Sequence, residues 1–111
     1  MIEAVLAFFL VTVVLSTAVA GRAGNLAPLA IGMTLTLNII MGGALTGAAF
    51  NPARALGPMI VTGNLSDAWL YMAAPIVGAI VAALVHTGLT RLARQPAMTA
   101  EPAQPVQTPA G

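Results

Sequence analysis

The sequence predicts an all-α membrane protein with three transmembrane helices and one re-entrant half-helix, and three observations carry that prediction. Of its 111 residues, 59% are hydrophobic and only 6% are charged, where a soluble domain carries roughly 25% charged residues. Three apolar stretches separated by turn-forming residues are each long enough to cross a bilayer. Between the second and third stands Asn51-Pro52-Ala53-Arg54, followed by an apolar segment too short to cross. An arginine is costly at membrane depth unless it faces protein or a water-filled cavity, which makes this tetrapeptide the candidate functional site.

The same composition excludes several classes. A net charge of +1, from four arginines, three acids and no lysine, leaves no basic patch for nucleic acid. With no cysteine there is neither a disulfide framework nor a thiolate nucleophile or metal ligand. One histidine, His86, and three scattered acids, Glu3, Asp67 and Glu101, do not assemble a metal or catalytic cluster. No cofactor and no enzyme activity are expected.

Residues 1–94 read as one membrane unit. The first span, about residues 2–20, is about 28 Å long as a helix, close to the hydrocarbon thickness. Ala18-Val19-Ala20 resembles a signal-peptide cleavage site, but such a peptide needs a positive n-region and this chain offers Glu3. Glu3 is either an end-of-helix carboxylate among headgroups or a group reaching inward to bond backbone that lipid would leave unsatisfied. Gly21 to Asn25 form a turn. Pro28 suits the first turn of a second span over about 27–42, because its missing N–H is not needed there.

Asn38 lies at membrane depth and needs a partner, through an interhelical hydrogen bond or by lining a pore. Gly42, Gly43 and Gly47 weaken this helix, and the Gly43/Gly47 spacing also matches a helix-dimer motif. Ser66-Asp67 predicts the cap of a third span over about 68–89, with Trp69 and Tyr71 as interfacial aromatics. Gly78, Ala79, Ala82 and Ala83 on that span permit close helix approach. His86 near its far end reads as an interfacial or helix-terminal group, with a gate as the sharper alternative. Asn64-Leu65-Ser66 matches a glycosylation sequon, a pattern too short to carry weight.

Residues 95–111, rich in Pro, Ala and Gln, read as a disordered cytoplasmic tail. Arg22 follows the first span, and Arg91 and Arg94 follow the third. The positive-inside rule therefore places those ends in the cytoplasm and the N-terminus and Asn51 loop outside. The expected location is the plasma (inner) membrane.

The segment from about 52 to 61 makes about 15 Å of helix, half a bilayer. Asn51 as N-cap and Pro52 at the first helical position both favour a helix start there. Such a half-helix points its N-terminus into the membrane, where roughly half a positive charge repels cations, and Arg54 adds a full one. Gly47, Ala48, Ala49 and Phe50 are expected to be extended, with carbonyls free to accept hydrogen bonds along an aqueous cavity. Donors at Asn51 and Arg54 opposite those acceptors describe a path for a small neutral molecule that excludes ions and protons.

Asn51-Pro52-Ala53-Arg54 after a Gly/Ala-rich approach, with Ala27-Pro28-Leu29-Ala30-Ile31-Gly32 before it and Gly57-Pro58 and Ala74-Pro75-x-x-Gly78 after it, resembles the aquaporin (major intrinsic protein) family. The resemblance covers about residues 3–90. It implies the second half of that fold, in which two inverted repeats bring two half-helix N-termini together at the bilayer midplane. It puts Asn51, Pro52 and Ala53 at the central constriction and Arg54 in the outer selectivity filter. Ile39 falls where water-selective members often carry histidine, and Ala48 falls at the filter position in the loop. Glycerol-type members typically place Asp after the filter arginine and a basic residue four further on; here stand Ala55 and Met59. Water and small neutral solutes are the expected substrates.

Three spans and one half-helix build half a pore wall. The expected partners are the lipid bilayer and a complementary first repeat or another copy of the chain, and the resemblance implies a tetramer. Because the three flanking arginines favour one orientation, a dual-topology dimer is disfavoured. A fragment, or one piece of a split pair whose partner supplies the other repeat, is the expectation. The alternative is a non-conducting small membrane protein that serves as a packing or assembly module.

Overall fold

The computed structural model describes residues 1–94; the tail expected over 95–111 lies outside them. The described residues form helices and their connections, and three helices are long and apolar enough to cross a membrane. Helix α1 spans Ile2–Val14 and continues as a π-helical turn over Leu15–Val19. A short 3₁₀ turn, Gly24–Leu26, leads into α2, Ala27–Thr46. Helix α3 spans Pro52–Thr62, and α4 spans Ala68–Arg94.

Several helix ends differ from the sequence expectation, among them that of α4, which runs on to Arg94. Helix α2 runs through Gly42 and Gly43 to Thr46 and stops at Gly47, whose φ of 78° is the left-handed cap conformation. In lipid an unpaired backbone group is costly, so the helix persists through glycines that would weaken it in water. The first span is not uniform: at its end the Thr17 hydroxyl donates to the Val13 carbonyl at 2.6 Å, and the Ala20 N–H reaches back to the Leu15 carbonyl at 2.9 Å. A hydroxyl competing for a helix carbonyl is a recognised cause of local loosening. Ser66 also departs from expectation, because its hydroxyl donates to Asn64 Oδ1 at 2.6 Å within the loop.

Helix α1 is the centre of the bundle, flanked by α2 and α4. Two glycines allow this. A Cβ on Gly78 would overlap the Ala4 carbonyl of α1, and a Cβ on Gly42 would meet Leu6 Cδ1 at 2.5 Å. Small residues matter here because lipid supplies no hydrophobic drive, and helices associate through close packing and polar contacts instead. Asn38 provides such a contact: it is 2% exposed, and its Nδ2 donates to the Leu6 carbonyl at 2.8 Å. The interhelical alternative for Asn38 is therefore the observed one. On the opposite side of the first span, toward α4, Ser16 Oγ lies 3.5 Å from His86 Nδ1.

Most large apolar side chains face outward, among them Phe9, Leu29, Ile40, Val77 and Leu84. In a bilayer that surface meets acyl chains. The interior is built of small residues around Leu6, Ala7, Ala48 and Phe50.

Candidate functional site

The site begins where α2 ends. Glu3, in the first turn of α1, is 2% exposed, far too buried for a headgroup-facing carboxylate. It accepts hydrogen bonds from Thr46 Oγ1 at 2.5 Å, Ala49 N–H at 3.2 Å and Phe50 N–H at 2.5 Å. Its two carboxyl oxygens thus gather donors from the end of α2 and from the loop that follows it. The inward-reaching alternative describes this geometry.

The loop that Glu3 holds is not extended. Gly47, Ala48 and Phe50 have φ of 78°, 45° and 32°. For Ala48 and Phe50 that is a disfavoured region which persists only when the surroundings enforce it. Here the enforcement is twofold: the Ala49 and Phe50 N–H groups turn onto Glu3, and Ala48 and Phe50 are buried against Leu6 and Ala7. The expectation of an extended run over Gly47–Phe50 is corrected on these grounds.

Asn51 then opens α3 from an extended conformation, φ −151° and ψ 121°. Its Oδ1 accepts from the Ala53 N–H at 2.9 Å and the Arg54 N–H at 3.4 Å, with Pro52 in the first turn. With Oδ1 so engaged, the Nδ2 group is left as the donor. Arg54 is exposed, and its guanidinium lies 5.4 Å from the centre of the Phe50 ring, within cation–π range. Pro58 sits inside α3. Having no N–H, it leaves the Arg54 carbonyl without its intrahelical donor.

A cleft of about 340 Å³ adjoins this helix start, with Arg54, Ala49, Thr46 and Tyr71 among its walls. Tyr71 lines it from α4, and its hydroxyl donates to the Thr46 carbonyl at 2.7 Å. The sequence marks Tyr71 only as an interfacial aromatic. Nothing in spacing pairs it with a carbonyl 25 residues earlier in the chain.

The expected site residues divide by exposure. Asn51, Ala53, Arg54 and Gly47 are open on the surface, Pro52 is half-buried, and Ile39 is 45% exposed on α2. Ala48, Ala49 and Phe50 are buried, with Ala48 at 0%. Ala48 thus packs into the core and does not share the open face with Arg54. Among the described residues no group of three or more His, Asp or Glu could hold a metal ion.

Residues 1–86 match the family model described as Major intrinsic protein. Among curated proteins, the chain is 49% identical to Nodulin-26 of Glycine max over 85 residues, 76% of this chain and 31% of that protein. It is 44% identical to Aquaporin NIP1-2 of Oryza sativa subsp. japonica over 77% of this chain and 28% of that protein. A match to Probable aquaporin TIP3-2 of Arabidopsis thaliana, at 45% identity, covers 78% of this chain and 33% of that protein. The chain thus spans about a third of the length of these curated relatives. No solved structure matches it.

Proposed function

The chain belongs to the major intrinsic protein family, and from that premise we propose that it forms one wall of a passive channel for water and small neutral solutes. One observation carries the reading: a half-length helix, capped by Asn51 and starting at Pro52, leaves Asn51 and Arg54 exposed at its N-terminus. The helix dipole and the guanidinium both place positive charge there, which repels protons and cations while hydrogen-bonding neutral molecules. In this reading Asn51, Pro52 and Ala53 form the constriction. Arg54 and Ile39 belong to the filter together with Ala48, which acts through its backbone, and carbonyls of Gly47, Ala48, Ala49 and Phe50 accept hydrogen bonds along the path. Glu3 supports that backbone.

The opposing wall comes from a complementary first repeat or another copy, within an oligomer of the tetrameric kind. The protein is integral to the membrane. We place it in the plasma (inner) membrane with its N-terminus outside and with Arg22, Arg91 and Arg94 on the cytoplasmic side. The second reading, a non-conducting packing or assembly module, has the complete burial of Ala48 on its side.

Osmotic swelling of vesicles separates the two. Vesicles holding the chain with a first-half repeat are expected to conduct water above the lipid background, and Arg54→Val is expected to admit larger solutes while water flow persists. Permeability at background level, with and without the first-half repeat, eliminates the channel.

A further inference from the structure

We propose that Tyr71 is a positioning residue for the Asn51 loop, acting from α4 through Thr46 and Glu3. Three helices meet in one chain of hydrogen bonds. The Tyr71 hydroxyl donates to the Thr46 carbonyl at 2.7 Å, the Thr46 hydroxyl donates to Glu3 Oε1 at 2.5 Å, and Glu3 accepts the Ala49 and Phe50 N–H groups. Thr46 is the last residue of α2, where carbonyls have no intrahelical donor. In lipid such a carbonyl needs a partner, and Tyr71 is the one it has.

The chain ends on Phe50, the residue whose ring stands 5.4 Å from the Arg54 guanidinium. Tyr71 also forms part of the cleft wall that Arg54 lines. The phenol therefore bears on Arg54 twice: through the relay that sets the loop backbone, and as part of the wall of the same cleft. Its consequence for filtering rests on the channel reading; its hold on the loop does not.

Amide hydrogen exchange on the full chain in lipid nanodiscs tests the relay. Tyr71→Phe removes only the hydroxyl. It is expected to speed exchange at Ala49 and Phe50 about fivefold, the equilibrium effect of one ordinary hydrogen bond, with mid-helix amides of α1 and α4 unchanged. In a Thr46→Val background, which lacks the relaying hydroxyl, the same change is expected to add less than about twofold at these two amides, because residues in one network couple. Thr46→Ser restores the hydroxyl and the response.

Equal acceleration in both backgrounds, no acceleration, or acceleration spread along α1 and α4 each overturns the proposal. Swelling of vesicles that hold the same variants, with and without a first-half repeat, keeps the channel question separate. Background permeability with the exchange pattern intact removes the channel and leaves the relay standing, and conduction without the exchange pattern does the reverse.

Discussion

The Phe50 N–H donates to the carboxylate of Glu3, 47 residues away in the chain, and the neighbouring Ala49 N–H does the same at 3.2 Å. Glu3→Ala leaves both N–H groups buried without an acceptor. At about 1–3 kcal/mol for each orphaned donor, the expected loss is roughly 2–6 kcal/mol of stability, read by denaturant titration in mixed micelles. Glu3→Gln keeps one acceptor oxygen and turns an NH₂ toward a donor, so its loss should fall between the wild type and Glu3→Ala. Equal stability of all three proteins would exclude Glu3 as the support of the loop.

Gly78 and Gly88 are both α4 glycines with opposite expectations. A Cβ on Gly78 would overlap the Ala4 backbone carbonyl, which cannot rotate away, whereas one on Gly88 meets nothing within 4 Å. Gly78→Ala should therefore cost about 1–3 kcal/mol through overpacking. Gly88→Ala should be neutral or gain up to about 1 kcal/mol from helix propensity. Thermal unfolding of the two variants side by side decides this, and a tolerated Gly78→Ala would mean that α1 and α4 are not in close contact.

Asn38 holds α2 to α1 by donating to the Leu6 carbonyl at 2.8 Å. Interhelical hydrogen bonds of this kind contribute about 0.6–2 kcal/mol in membranes. Asn38→Ala should lose that amount in the same unfolding assay without changing helix content by circular dichroism. A larger loss would point to a polar partner beyond Leu6.

At Asn51, substitution separates capping from charge. Asn51→Ala removes the oxygen that the Ala53 and Arg54 N–H groups donate to, at an expected cost of about 1 kcal/mol. Asn51→Asp keeps a capping oxygen and sets a negative charge against the helix dipole. Its stability should stay near wild type while vesicles holding it with a first-half repeat begin to leak sodium. An Asp variant that conducts water and still excludes sodium would show that the positive field at Asn51 is not what rejects cations.

Much of this protein is legible in one dimension. Span length and hydropathy, the Asn51-Pro52 helix start and the half-length of α3 depend on residues adjacent in the chain, and they agree with the helices observed. The Asn51–Arg54 cap is legible for the same reason. Legibility stops where a residue's role depends on a distant partner. Glu3 reads equally as a headgroup-facing acid or an inward acceptor until Ala49 and Phe50 are placed beside it. Ala48 reads only as a loop residue before Asn51, and its burial against the core at 0% exposure depends on partners far along the chain.

The Gly47–Phe50 segment shows the physical reason. Its place before a capped half-helix predicts an extended run, yet two buried N–H groups needing an acceptor in lipid outweigh the strain of positive φ at Ala48 and Phe50. Tyr71 is the same case seen from α4: an aromatic at an interface by position, a donor to Thr46 only once α1 sets the start of α4 across from the end of α2. The sequence by itself determined an all-α membrane chain with three spans, a capped half-helix and an arginine in its first turn, because length, hydropathy and capping are local properties. Only the tertiary structure decided which carbonyls and N–H groups find partners and which side chains the site leaves open, because those depend on distances between helices far apart in the chain.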